Sequence, residues 1–167
     1  DLLNEVDKDP IRFMMLNRSN DVELDFDFNK VKEKTKDNPV FYVQYAYARI
    51  NSILRTLDIK FLKKINIEEK KLHFYEIEEK IIRKVFEWPK VIESSSRKFD
   101  LHKIPFYLYE LSTLFHAYWS KGNDDKKYKF IDNKQINREE ILAIINLVAI
   151  VIQNGMKILG VSLPNKM

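Results

Sequence analysis

Residues 141–152 read Ile-Leu-Ala-Ile-Ile-Asn-Leu-Val-Ala-Ile-Val-Ile, apolar at every position but Asn146. Such a helix has no side to offer water, and the run falls short of the roughly 20 residues that a helical membrane span needs. The run therefore predicts a buried core helix. Asn137 is a candidate cap ahead of it, Glu139 and Glu140 fall in the first turn, where the helix dipole favours acids, and Gly160 marks the end. At 167 residues the chain suits one domain with at most a short appendage. With 45% hydrophobic residues but only 3 Gly and 5 Pro, it can fill a core with helices and is poorly suited to a many-turned sandwich.

A second helix is predicted over residues 38–57. Asn38 is a plausible N-cap, and Pro39 sits at the first helical position, where its missing N–H costs nothing. At about 100° per residue, Val43, Ala46, Ile50, Ile53, Leu54 and Leu57 form one apolar stripe. Tyr42, Tyr45 and Arg49, at i, i+3 and i+7, gather on a flank beside it. Two phenol rings and a guanidinium in line can stack on bases and pair with phosphate. They can equally be a core edge, with hydroxyls reaching water and the arginine snorkelling. Periodicity alone leaves both open.

Elsewhere, residues 1–16 read as an amphipathic helix kinked or divided by Pro10, followed by a turn at residues 17–21. Val22-Glu23-Leu24-Asp25-Phe26-Asp27-Phe28 alternates as a half-buried strand does, the one convincing strand in the chain. Asp25 and Asp27 fall on its solvent face rather than forming a metal pair. Residues 30–36 make a charged helical turn or two, residues 59–66 a connector, and residues 68–87 a helix. Trp88-Pro89 breaks that helix, and Pro89 opens a short one ending at Ser94–Ser96. The next runs from Ile104-Pro105 through Trp119, with Gly122 past its end. Residues 123–135 read as a Lys- and Asp-rich mobile loop, and residues 161–167 as an extended tail.

Several chemistries are excluded. Without cysteine there is no disulfide, Cys-ligated zinc, iron–sulfur cluster or thiol catalysis. His73, His102 and His116 stand apart without ligand spacing and read as surface or core-edge residues. Three scattered glycines make no phosphate loop, and Ser94–Ser96 carry no nucleophile signature. The net charge of +4 divides unevenly: residues 1–37 hold 7 Lys and Arg against 10 Asp and Glu, and residues 38–167 hold 22 against 15. A basic bulk fits a polyanionic partner. The start, Asp1-Leu2-Leu3-Asn4-Glu5, has neither a signal peptide's apolar run nor an initiator Met, and reads as a piece of a longer chain. The chain reads as a binding module.

The string Phe41-Tyr42-Val43-Gln44-Tyr45-Ala46-Tyr47-Ala48-Arg49-Ile50 resembles the helix opening the anticodon-binding domain of arginyl-tRNA synthetases. Arg12-Phe13-Met14-Met15-Leu16, Asn17-Arg18-Ser19 and Leu24-Asp25-Phe26-Asp27 resemble that family's segment after the catalytic signature loop. Leu114-Phe115-His116-Ala117-Tyr118-Trp119 is similar to the helix presenting an aromatic to the anticodon. Asn154-Gly155-Met156-Lys157-Ile158-Leu159-Gly160-Val161, with Pro164 and Met167, looks like the C-terminal signature.

The resemblance implies an all-α helical bundle of the class I synthetase anticodon-binding type. Residues 1–37 would be the end of the catalytic and stem-contact region, containing one strand, and residues 38–167 the anticodon-binding domain. The full enzyme would join arginine to tRNA(Arg) in the cytoplasm, using ATP and magnesium. The class I nucleotide-binding signatures are absent here, so this segment should bind neither cofactor and be inactive alone. Its expected partners are tRNA(Arg) and the rest of the synthetase chain, as a monomer and without a membrane. By motif position the tRNA-facing residues are Tyr42, Tyr45, Arg49, Trp119 (where many members carry Tyr), Asn154 and Met167. Asn154 can alternatively serve the backbone around Gly155. The competing readings are a helical protein-interaction domain and the anticodon domain of a related class I synthetase.

Overall fold

The computed structural model describes residues 7–19, 31–33, 35–57, 72–132 and 135–167. The strand expected over residues 22–28, with Asp25 and Asp27, and the connector over residues 59–66 lie outside them. The α-helices are α1 (Lys8–Leu16), α2 (Pro39–Thr56), α3 (Glu76–Phe86), α4 (Trp88–Lys98), α5 (Lys103–Asp124) and α6 (Glu139–Leu159). Helices α5 and α6 pack on one another, with both α2 and α3 against the pair. Helix α1 lies on α2 and α6, and α4 on α3 and α5.

The apolar run lies inside α6, a helix long and apolar enough to cross a membrane by length and composition alone. Its Ile141, Ile145, Val148, Ala149, Ile152 and Met156 have no exposed surface. The predicted stripe of α2 is also in the core: Val43, Ala46, Ile50, Ile53 and Leu54 are buried, joined by Tyr47, while Leu57 is half-buried. Facing them, α5 buries Ile104, Leu108, Leu111, Phe115 and Tyr118, at alternating spacings of four and three residues. Phe13 of α1 is wholly buried in the same core.

Asn38 caps α2 as its sequence position suggests, its side chain accepting from the Phe41 N–H at 3.4 Å. Its amide also donates to the carbonyls of Val31 and Glu33, each at 2.8 Å, tying the preceding segment to the helix start. Inside the bundle Glu78 is fully buried, and its charge is met by Arg138 at 2.5 Å and by the Tyr118 hydroxyl at 2.8 Å. Burial and that carboxylate push the Tyr118 hydroxyl's pKa up.

Element boundaries differ from expectation where a local contact takes over. Pro10 neither kinks nor divides a helix among the described residues, because α1 begins at Lys8 and Pro10 sits in the first turn, where no intrahelical N–H is required. Helix α3 starts at Glu76, residues 72–75 being non-helical and residues 68–71 of the expected helix lying outside the described residues, with the Glu78 carboxylate accepting from the Tyr75 N–H at 2.8 Å. Helix α4 continues past the serines to Lys98 and stops on Phe99 in the left-handed region, φ 54°. Helix α5 runs through Gly122 to Asp124, because the turn at Lys126–Tyr128 folds back so closely that a Cβ on Gly122 would sit 3.2 Å from the Tyr128 carbonyl oxygen.

Within the expected loop, β1 (Ile131–Asp132) pairs antiparallel with β2 (Gln135–Ile136), beside a buried Phe130. Asn137 closes this hairpin through its amide on the Lys129 carbonyl, leaving Arg138 at the N-cap of α6. Gly160 ends α6 as expected, at φ 67°, with the Arg12 side chain of α1 packed where a Cβ would project and donating to the Leu159 carbonyl. Gly160→Ala should therefore cost about 1–2 kcal/mol from the left-handed backbone alone. Urea unfolding would show it as a lower midpoint, and an unchanged midpoint would contradict this account of the helix end.

Candidate functional site

The flank of α2 meets one face of α5. On α5, Tyr109, Thr113 and His116 follow at i, i+4 and i+7, and Trp119 stands three residues beyond His116. Tyr42 packs between Tyr109 and His116, with ring centroids 5.3 and 4.4 Å away. Burial, then Tyr109, raise its hydroxyl pKa, against smaller opposing effects of Thr113 and Arg49. Tyr45 lies nearly parallel to both Phe41 (5.9 Å) and His116 (5.5 Å).

Arg49 joins the cluster. Its guanidinium lies 4.4 Å from the Tyr45 ring centre and 5.3 Å from that of Trp119. Its Nη2 donates to the Tyr45 hydroxyl at 2.5 Å, and its Nη1 is 3.3 Å from His116 Nδ1. Tyr42, Tyr45, Arg49 and Trp119 are all half-buried. They present a partly exposed rim of rings around a cation, which can stack on planar groups and pair with an anion.

His116 is the member that sequence reasoning undervalued. It is buried at the centre of the cluster, at 7% exposure, a core-edge placement rather than a surface one. The signal was its three-residue spacing from Trp119, which places both on one helical face. Burial, with the Arg49 charge adding to it, pulls its pKa down to about 4, against the opposing pull of its bond to the Tyr42 carbonyl. Its ring is neutral near pH 7.

The other two expected residues stand apart. Asn154 is exposed on α6, and its side chain makes no hydrogen bond among the described residues. The backbone role considered for it is not made. Gly155 has its own reason to be small, since a Cβ there would lie 2.7 Å from the Leu108 side chain of α5. Met167 is 53% exposed at the end of the tail. That tail is held by Gln44 on the Ser162 carbonyl (2.9 Å), by Arg55 on the Asn165 carbonyl (2.8 Å) and by Asp9, which accepts from Ser162 N–H at 3.0 Å. Gln44 and Arg55 lie roughly 120° around α2 from the Tyr45–Arg49 flank. Tyr42, Tyr45, Arg49 and Trp119 thus form one cluster that excludes Asn154 and Met167.

Residues 43–167 match the DALR anticodon binding domain, three quarters of the chain. The chain belongs to that family. Over its whole length this DALR chain is 48% identical to the arginine–tRNA ligase of Pelagibacter ubique, and it spans 29% of that protein. A Campylobacter jejuni crystal structure described as an arginyl-tRNA synthetase shares the fold at TM-score 0.81 and 23% identity, covering all of this chain and 35% of that one. The arginyl-tRNA synthetase of Thermus thermophilus does so at 0.70 and 21%, covering 95% of this chain and 26% of its own. The DALR chain thus spans about three tenths of the curated relative's length.

The buried histidine makes stability depend on pH. In the unfolded chain its proton binds near pH 6.5, and in the folded protein near pH 4, so folding excludes a proton between the two. Its contribution is complete above about pH 6.5 and is lost as pH falls toward 4, by up to on the order of 3 kcal/mol. The gap in unfolding free energy between the wild type and a His116→Gln variant should shift against the wild type as pH falls from 7 to 4.5. A gap constant across that range would contradict the burial of a neutral ring.

Proposed function

We propose that this chain is the RNA-holding end of an arginine–tRNA ligase and that it takes the anticodon region of tRNA(Arg) on the α2–α5 cluster. One observation carries the reading: a guanidinium held over the rings of both Tyr45 and Trp119, at a half-exposed rim. Splayed anticodon-loop bases can stack on such rings while the arginine takes a phosphate. Family membership and the relative's name support the same assignment.

In this reading Trp119 and Tyr45 offer ring surface, Arg49 charge, and Tyr42 support from behind. Asn154 and Met167 would be separate contacts, Met167 through its flexible thioether. Residues 1–37 would end the catalytic and stem-contact region, and residues 38–167 form the anticodon-binding part. That boundary divides roles rather than packing, since Phe13 shares the core of α2. Arginine activation with ATP and magnesium would belong to the remainder of the enzyme, which would act as a cytoplasmic monomer. Among the described residues no His, Asp and Glu cluster could hold a metal ion, and no step of activation is assigned to this chain.

A fluorescence titration with tRNA(Arg) and a non-cognate tRNA at two salt concentrations tests the proposal. Tighter binding of tRNA(Arg), with affinity falling steeply as salt rises, is expected. Trp119→Ala should weaken it about ten- to hundredfold, the worth of one stacked base at roughly 1–3 kcal/mol. Equal, salt-independent affinities would favour a protein-interaction domain instead, and preference for another tRNA would point to a related class I synthetase.

A further inference from the structure

Arg49 is held from two directions, and only one of them is on its own helix. On α2, Tyr45 accepts from Nη2 one turn earlier. From α5, His116 brings Nδ1 to 3.3 Å of Nη1. A guanidinium can only donate, so Nδ1 must be the unprotonated nitrogen of the imidazole. Nε2 then carries the hydrogen and donates to the Tyr42 carbonyl at 3.2 Å. The other tautomer would set N–H against N–H at Arg49 and a lone pair against the carbonyl. The packing of Tyr42 and Tyr45 on the imidazole fixes its plane as well.

We propose that His116, as the tautomer protonated on Nε2, is a positioning residue that holds Arg49 between the faces of Tyr45 and Trp119. This rests on the anticodon-binding reading and adds the residue that makes its cation rigid. Two of the guanidinium's five N–H groups are engaged by Tyr45 and His116, leaving three for an RNA phosphate. An arginine already placed need not be ordered on binding, so its pairing energy appears as affinity.

The test is a double-substitution cycle on tRNA(Arg) affinity in the full-length protein, with Trp119→Ala as the reference for the interface. Arg49→Ala should weaken binding about tenfold in the wild type, but less than about twofold once His116→Phe is in place. His116→Phe alone should cost about five- to tenfold, and His116→Gln should restore most of it, because an amide can both accept and donate. If Arg49→Ala costs the same with and without His116, the positioning role is wrong while the interface stands. If neither Arg49→Ala nor Trp119→Ala changes affinity, the interface falls and takes this role with it. A nitrogen-15 spectrum of the wild-type imidazole gives a second reading that needs no variant. Near pH 7 a protonated Nε2 beside a bare Nδ1 is required, and the opposite tautomer or an imidazolium overturns the proposal.

Discussion

Helix α6 turns all but one stripe of its apolar surface inward, leaving Leu147 43% exposed, and enclosing the rest is the demand it imposes on the whole bundle. Its buried isoleucines and valines have to be covered by side chains from α2, α3 and α5. Enclosure brings α2 and α5 to the same helix and so into contact with each other. The cluster of Tyr42, Tyr45, Arg49, His116 and Trp119 forms where those two helices meet at the rim. The site is a by-product of how the core closes, which is why Tyr42, Tyr45, Arg49 and Trp119 are half-buried around a buried His116.

Much of the fold was legible because it follows from helical period and from a few residues with one physical use. The α2 stripe, the Asn38 cap and the Gly160 stop were readable for that reason. The misplaced boundaries share another cause. Gly122 reads as a stop signal, but the chain needs its missing side chain for a returning turn, and the helix passes through it. Asn137 reads as a cap, but its amide is spent on the hairpin. In both cases a contact with a folded-back residue outside the helix decided the use of the residue, and helical period carries no information about it.

The candidate site divides the same way. Helical phase on α2 was enough to group Tyr42, Tyr45 and Arg49 on one flank. It could not say what would cover that flank, because His116 and Trp119 come from a helix almost 70 residues later. Burial of His116 follows only from the pairing of α2 with α5, and with it comes the neutral ring that can accept from an arginine. The tail shows the converse. Met167 shares the C-terminal signature with Gly155 and Gly160, yet those glycines serve close packing and a helix end, while the tail runs along another side of α2.

In the proposed function the Trp119 rim of the α2–α5 cluster meets an RNA base. Within these 167 residues Trp88 is the only other tryptophan, so this segment carrying Trp88→Phe reports Trp119 fluorescence alone. Titration with the anticodon stem-loop of tRNA(Arg) should quench that fluorescence in step with binding, as a base stacks on the indole. Saturating RNA that leaves the Trp119 emission unchanged in intensity and wavelength would contradict the claim.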